Sequence, residues 1–159
     1  MPSLLFVNEK FTKVKEASTF YSSVFPDSQI IMEFPYDKSA GLPDGTLLFT
    51  QFRLADHLFN AMSGQGKHNF DFNEAFSFVV DCKDQEEVDY YWNKLTSDGG
   101  QESMCAWLKD KFGVSWQIVP SVLIDMLNDK DSAKAQKAMQ AMFQMKKIII
   151  TDLEKAYNS

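Results

Sequence analysis

The sequence has few cysteines and no long apolar run. Cys82 and Cys105 are its only thiols. The apolar run at residues 3–7 is too short, and too poor in flanking basic residues, to be the hydrophobic region of a secretory leader. No run approaches the roughly 20 apolar residues that a membrane-spanning helix needs. We therefore expect a protein of the reducing cytoplasm with no membrane segment.

Basic residues are also in the minority. The 159 residues include 16 Lys and Arg against 22 Asp and Glu, and no dense basic stripe is present that would neutralise phosphates. This excludes a typical nucleic-acid-binding protein. Hydrophobic residues at 45% and charged residues at 24% are typical of a globular protein. The length suffices for one domain with a terminal appendage.

An apolar stripe with helical spacing occurs twice, 71 residues apart. The first lies in residues 13–25 and the second in residues 85–96. Each has apolar side chains at i, i+3, i+4 and i+7, which is the pattern of an amphipathic helix. The stripes are Ala17, Phe20, Tyr21 and Val24, then Val88, Tyr91, Trp92 and Leu95. We interpret them as one helix in each of two related modules.

Strand-like segments flank both predicted helices. Around the first they are residues 4–7, 29–34, 46–54 and 57–62, with a tight turn at Ala55 and Asp56. Around the second they are residues 76–80, 102–108 and 115–119, with a turn at residues 110–113. The first module thus shows four strand-like segments and the second shows three, and we interpret both as βαβββ modules. The predicted fold is therefore α+β, with two tandem βαβββ modules in a single domain. The alternative is an unrelated α+β domain whose periodicity arises by chance.

Composition marks the module boundaries. Residues 64–69 are polar and rich in glycine, which is typical of a linker. We place module one at about residues 1–63, the linker at about 64–73 and module two at about 74–120. The remainder, about 121–159, is predicted to be a helical extension.

The extension contains three segments with helical patterns. They are residues 122–127, 133–146 and 153–157. Asp131 or Ser132 is placed to cap the second segment. Its soft apolar face consists of Met139, Met142, Phe143 and Met145. Such a face predicts packing on the protein's own sheet or on a second subunit.

Several blocks of the chain resemble one protein family. They are residues 17–27, 72–78, 84–92 and 105–120, with the tail at 134–147. The most specific block reads Trp107-Leu108-Lys109-Asp110, Phe112-Gly113, Ser115-Trp116-Gln117 and Val119-Pro120. On these residues the chain resembles the PhnB-like branch of the glyoxalase, bleomycin-resistance and dioxygenase (vicinal oxygen chelate) superfamily. Members of this branch often carry the label demethylubiquinone methyltransferase.

The resemblance implies sheets that curl into a ligand cleft, usually completed by a homodimer. In metal-dependent members the cleft holds a divalent ion through His, Gln or Glu ligands. The resemblance places Asn8, Asn60, Glu74 and Gln117 near the corresponding positions, with Phe76 or Ser77 as the alternatives to Glu74. This set consists mostly of neutral amides, which bind first-row metals weakly. We therefore expect no catalytic metal and no other cofactor, with Glu74 and Gln117 as the ligands if a divalent cation does bind.

A cleft without a metal still suits a small organic ligand. Its candidate walls are the strand aromatics Phe49, Phe52, Trp107 and Trp116, with Asn60 and Gln117 as orienting hydrogen-bond groups. The alternative for each aromatic residue is that it fills the core. His57 beside a turn and His68 in the linker are interpreted as solvated surface residues.

The residues do not support methyl transfer. Gly64-Gln65-Gly66 lacks the strand, glycine-rich turn and helix context that cradles a nucleotide-type cofactor. We predict a protein that binds a small organic molecule without a catalytic metal, and we assign no enzyme activity. The alternative is a metal-dependent lyase, isomerase or dioxygenase with an atypical ligand set centred on Glu74 and Gln117. A third hypothesis gives the Met-rich tail a role in dimerisation or partner docking.

Overall fold

The computed structural model describes the whole chain, Met1–Ser159, which divides into two units. Unit one is Met1–Asp71 and unit two is Phe72–Ser159. Each unit contains a strand, a helix and three further strands in that order, and unit two continues into three more helices. This confirms the predicted α+β fold of two tandem βαβββ modules with a helical C-terminal extension.

Unit one forms a four-stranded sheet covered by one helix. Its elements are β1 (Ser3–Phe6), α1 (Val14–Val24), β2 (Gln29–Pro35), β3 (Leu47–Leu54) and β4 (His57–Ser63). The strand order is β1-β4-β3-β2. β1 runs parallel to β4, and the other two pairs are antiparallel.

Unit two repeats this arrangement. Its elements are β5 (Ser77–Cys82), α2 (Gln85–Thr96), β6 (Gln101–Glu102), β7 (Trp107–Lys109) and β8 (Ser115–Pro120). The strand order is β5-β8-β7-β6, with β5 parallel to β8. The two sheets therefore have the same topology, as the repeated stripe predicts.

The two stripes are buried in the same way. In each helix the first, third and fourth stripe residues are buried and the second is half-buried. The buried residues are Ala17, Tyr21 and Val24 in α1, and Val88, Trp92 and Leu95 in α2. Each helix packs on its own sheet, α1 mainly on β3 and α2 on both β8 and β7. Asp84 caps α2, because its carboxylate accepts a hydrogen bond from the Glu87 backbone N–H.

The strand predicted at residues 102–108 is wrong in its middle. The chain forms two short strands there, β6 and β7, joined by residues 103–106. Cys105 and Ala106 have left-handed backbones, with φ of 58° and 70°, which interrupts a strand. Their N–H groups donate instead to the carbonyls of Met145 and Lys146, at 2.7 and 2.9 Å. The extension thus takes the hydrogen bonds that a continuous strand would have used.

Asp110 organises the turn between β7 and β8. Its Oδ1 accepts hydrogen bonds from the backbone N–H groups of Phe112 and Val114, at 2.9 and 3.0 Å. Its Oδ2 accepts one from the indole N–H of Trp116 at 2.9 Å. The residue is only 2% exposed. Asp110 is therefore a buried structural carboxylate within the predicted turn.

The C-terminal extension packs on unit two. It consists of α3 (Ser121–Leu127), α4 (Ser132–Phe143) and α5 (Ile150–Tyr157). These helices form a buried apolar cluster with the sheet. Its members are Ala106, Val119, Leu123, Met126, Ala138, Ile148 and Leu153. None of the helices in the protein is long and apolar enough to cross a bilayer.

Polar contacts also hold the extension. Asp131 caps α4, because its carboxylate accepts from the N–H groups of Ala133 and Lys134. The amide nitrogen of Gln85 donates to the Ile148 carbonyl at 3.0 Å, and its amide oxygen accepts from the Ile150 N–H at 2.8 Å. The Gln85 side chain therefore makes one donor and one acceptor hydrogen bond with the backbone of the extension, as a neighbouring strand would.

The Met-rich face of the extension is divided between core and surface. Met142 and Met145 pack against the buried cluster. Met139 and Phe143 are exposed. Packing on unit two therefore accounts for Met142 and Met145, which are half of the predicted apolar face.

We expect the Cys82 thiol to be unreactive in the folded protein. Burial raises its pKa to about 12, and the carboxylates of Glu87, Asp81 and Asp84 add to the shift. Only the thiolate attacks a disulfide reagent. A Cys105→Ser variant should therefore show no fast reaction at pH 8, and one reactive thiol after unfolding in guanidinium. Cys82→Ser, which keeps the half-buried Cys105, is the matched control. Fast labelling of folded Cys105→Ser would contradict the burial of Cys82.

Candidate functional site

Each sheet has one face covered by its helix and an opposite, open face; in unit two the extension covers that opposite face at Val119. Side chains alternate along a strand, and directly paired residues share a face. In β3, Thr50, Phe52 and Leu54 are buried, and the ring of Phe52 stacks on Tyr21 of α1. The alternate residue Phe49 is half-buried. The register therefore separates core residues from residues on the open face.

The open face of unit one is apolar around a pair of amides. The amide nitrogen of Gln51 donates to Asn60 Oδ1 at 3.1 Å. The register places five large apolar side chains on the same face, and each is at least partly exposed. They are Met32, Phe34, Phe49, Leu58 and Met62. The structure thus brings Phe49 and Asn60 onto one surface.

Phe52 lies on the covered face, which corrects its prediction as a cleft residue, and the Asn8 side chain is engaged in two hydrogen bonds within unit one. Phe52 is fully buried on the covered face, where its ring also stacks on Phe59. Asn8 follows β1 with a left-handed backbone, at φ of 53°. Its Oδ1 accepts from the His68 backbone N–H, and its Nδ2 donates to the Phe70 carbonyl. Phe52 is therefore a core residue, and Asn8 secures the segment that follows β4.

The open face of unit two presents two cross-strand rows. Both rows run from β5 through β8 to β7. They are Ser77, Ser115 and Lys109, then Val79, Gln117 and Trp107. The amide nitrogen of Gln117 donates to Ser77 Oγ at 2.9 Å. The predicted site residues Trp107 and Gln117 are therefore direct neighbours on the open face.

Trp116 lies on the opposite, covered face of this sheet. It is buried, its ring centroid lies 5.0 Å from that of Phe78, and its indole N–H is bound by Asp110. The structure therefore corrects its prediction as a cleft wall. Like Phe52, Trp116 fills the core.

A cavity of about 440 Å³ opens on unit two beside the first row. Its lining includes Glu74, Met104, Cys105, Trp107, Lys109 and Ser115. Lys109 Nζ lies 2.5 Å from Glu74 Oε1. This hydrogen-bonded ion pair lowers the pKa of Glu74 below its usual value. Two predicted site residues, Glu74 and Trp107, therefore line the same cavity as the cationic side chain of Lys109.

A second cavity, of about 600 Å³, lies at the loop between β2 and β3. It is lined by residues 35–38 and 42–46, most of them exposed turn residues. None of the predicted site residues lines it. Its size alone therefore does not make it the better candidate.

Lys109 and Ser115 were not predicted as site residues. Ser115 is 1% exposed, and its Oγ has no hydrogen-bond partner in the protein. Both residues lie two positions from predicted ones, Lys109 from Trp107 and Ser115 from Gln117. The two-residue period of a strand places such neighbours on the same face. That period was the signal that would have found them.

The residues at the superfamily's metal positions do not fit a divalent ion. No group of three His, Cys, Asp or Glu side chains converges in the chain. The Glu74 carboxylate is paired with the Lys109 ammonium, whose charge opposes a cation there. Asn60 and Gln117 are engaged in the hydrogen bonds described above. His57 lies exposed at the turn that joins β3 to β4.

The glycine-rich loop after β4 does not have the context of a loop that binds a methyl donor such as S-adenosylmethionine. Gly64-Gln65-Gly66 follows β4 and leads into irregular chain instead of a helix. A Cβ atom added to Gly64 would meet side-chain atoms of Val7, His68 and Leu5 at 3.1 to 3.3 Å. The protein's own side chains therefore fill the space that a cofactor would need beside this glycine.

Fold and open sheet faces together define the class of protein, the glyoxalase or vicinal oxygen chelate superfamily. The family model described as 3-demethylubiquinone-9 3-methyltransferase matches residues 1–119. The chain therefore belongs to this family, whose members include PhnB proteins. The match ends before the extension, so the tail resemblance at residues 134–147 lies outside it. A comparison with curated proteins gives no match.

Solved structures show the same fold. A PhnB protein from Bacillus cereus is 33% identical with a TM-score of 0.65, and the alignment covers 74% of this chain and 97% of that one. A protein from Pseudomonas aeruginosa is 18% identical with a TM-score of 0.59, over 75% and 94% of the two chains. The fosfomycin resistance protein FosX from Listeria monocytogenes is 16% identical with a TM-score of 0.48, over 74% and 86%. The likeness to FosX is too slight to carry a functional argument.

Proposed function

We propose that the protein binds a small organic molecule on the open face of unit two, without a catalytic metal. The observation that carries this proposal is the cavity of about 440 Å³ lined by Trp107, Lys109, Ser115 and Glu74. An aromatic wall beside a few well-placed polar groups is typical of small-molecule sites. Gln117 extends the polar part of the surface along the next row.

Binding is supported over catalysis by the residues near the cavity. Both histidines of the chain, His57 and His68, belong to unit one. Unit two therefore offers no histidine base that would activate Ser77, Ser115 or Cys105 as a nucleophile. The metal-dependent alternative needs Glu74 as a ligand, and the positive charge of Lys109 beside Glu74 opposes a cation at that position.

A thermal-shift screen tests the proposal. A ligand that binds only the folded state at 100 times its Kd adds about 2.7 kcal/mol of stability. In a chain of this size that raises Tm by roughly 5 to 10 °C. The screen contains small organic acids, amines, neutral aromatic compounds and divalent ions, each with and without EDTA. We expect at least one organic compound to raise Tm equally in both conditions.

Two variants locate the binding. Trp107→Ala should reduce the shift, whereas Phe143→Ala removes an exposed aromatic residue of the extension and should leave it unchanged. Stabilisation by a divalent ion alone, abolished by EDTA and by Glu74→Ala, would support the metal-dependent alternative. The absence of any shift would contradict binding altogether.

A further inference from the structure

The cavity of unit two contains a buried polar group for which the protein supplies no partner. Ser115 Oγ has no hydrogen-bond partner although the residue is only 1% exposed. Buried hydroxyl groups in native proteins are nearly always hydrogen-bonded. Ser115 is one of the residues that line the cavity, so a group that enters the cavity would lie close to this unpartnered hydroxyl.

A cation lies beside this hydroxyl. Lys109 is paired directly with Ser115 across the β7–β8 ladder. Side chains of directly paired residues leave the same face, with Cβ atoms about 5 Å apart. An ammonium group next to a hydroxyl donor is a combination that binds the oxygens of an anion.

Glu74 currently supplies the anion. Its Oε1 lies 2.5 Å from Lys109 Nζ, and its side chain is 63% exposed whereas that of Lys109 is 32% exposed. An exposed carboxylate rotates into water at little cost, because surface ion pairs are weak. The Lys109 side chain, in contrast, is mostly buried and lines the cavity. The Glu74 carboxylate therefore shows which chemical group fits Lys109, and it is displaceable.

The other carboxylate of the cavity wall is already engaged. Glu102 Oε1 accepts a hydrogen bond from the Trp92 indole N–H at 2.8 Å, and Oε2 lies 3.7 Å from Lys146 Nζ. Lys146 therefore balances the charge of Glu102, and Lys109 is paired with Glu74. Displacement of Glu74 therefore makes the region around Lys109 and Ser115 attractive to an anion.

We propose that the ligand is a small carboxylic acid whose carboxylate replaces that of Glu74 on Lys109 and accepts a hydrogen bond from the Ser115 hydroxyl. This inference rests on the small-molecule site proposed above. The apolar part of the acid lies against Trp107 in the same cavity. Glu74 acts as an internal competitor that occupies the cation while no acid is bound.

Calorimetric titrations at pH 7 and fixed ionic strength test this inference. The probes are benzoate, benzylamine, benzyl alcohol and inorganic phosphate, of which the first three share one ring and differ in charge. Glu74→Gln should bind benzoate about three- to fivefold more tightly than wild type, because the competing ion pair is gone. In that background Lys109→Gln should weaken benzoate binding about tenfold or more, and Ser115→Ala about threefold.

Glu154→Gln is the matched control. It removes the same charge from an exposed position on α5 and should leave benzoate binding at the wild-type level. An unchanged or weaker affinity of Glu74→Gln for benzoate would overturn the competitor role of Glu74. Equal binding of benzylamine, benzyl alcohol or phosphate would overturn the carboxylic acid assignment. The proposed function survives either failure if the thermal-shift screen yields a ligand that depends on Trp107.

Discussion

Asp110→Ala is expected to lower the free energy of unfolding by about 3 to 5 kcal/mol. The carboxylate accepts from the N–H groups of Phe112, Val114 and Trp116, and the residue is 2% exposed. Hydrogen bonds to a charged acceptor contribute about 1.5 to 3 kcal/mol each, and the three are not additive. Their loss removes the charged acceptor of two backbone donors and one indole donor.

Guanidinium unfolding followed by fluorescence measures this loss. Asp125→Ala removes an exposed carboxylate from α3 and should change stability by less than about 0.5 kcal/mol. The stability of Asp110→Asn should fall between those of Asp110→Ala and Asp125→Ala. Its amide oxygen still accepts hydrogen bonds from the backbone donors, whereas the indole N–H faces an NH₂ group. A loss below about 1 kcal/mol in Asp110→Ala would show that the three bonds do not hold the β7–β8 turn.

Leu153→Ala is expected to cost about 2 to 5 kcal/mol, because it opens a cavity in the cluster between the extension and unit two. Leu153 is fully buried there together with Ile148 and Leu123. The extension lies outside the matched family region, so this variant asks whether it is an integral part of the fold. Ile124→Ala, at a position 45% exposed, is the control and should be nearly neutral.

Hydrogen exchange distinguishes loosening of the extension from global unfolding. The N–H groups of Cys105 and Ala106 donate to carbonyls of the extension. In Leu153→Ala their exchange should accelerate before that of the β5–β8 ladder. Unchanged exchange at Cys105 and Ala106, with stability equal to that of Ile124→Ala, would mean that the extension contributes nothing to the fold.

The repeated elements were predictable because their signal is local. Helical spacing over a dozen residues predicted both stripes, and α1 and α2 bury them in the same way. The strand predicted at residues 102–108 failed for a non-local reason. Cys105 and Ala106 hydrogen-bond to residues of the extension far along the chain, and no local pattern reveals such a partner.

The sequence predicted the types of residue at the candidate site but not the face of the sheet on which each of them lies. Phe52 and Trp116 have the same aromatic character as Phe49 and Trp107, yet they lie on the covered faces. A shift of one residue along a strand exchanges the two faces, and the shift is set by pairing with distant strands. Ser115 was missed for another reason. It is a candidate because its hydroxyl is buried without a partner in the protein, and the sequence does not show which hydroxyl groups lack partners.

The description of the family names methyl transfer, but the loop Gly64-Gln65-Gly66 does not fit a methyl donor, and the residues at the expected metal positions do not fit a divalent ion. Trp107, Lys109 and Ser115 instead place an aromatic ring, a cation and a hydroxyl group around a cavity of about 440 Å³. We propose that Trp107, Lys109 and Ser115 form a binding surface and that Glu74 marks the position of the ligand's charged group.

A crystal structure with the compound that raises Tm most tests the central claim directly. The prediction is electron density for that compound in the cavity of unit two, in contact with Trp107 and Lys109, with no anomalous signal from a metal. A compound bound elsewhere, or bound through a metal ion held by Glu74 and Gln117, would contradict it.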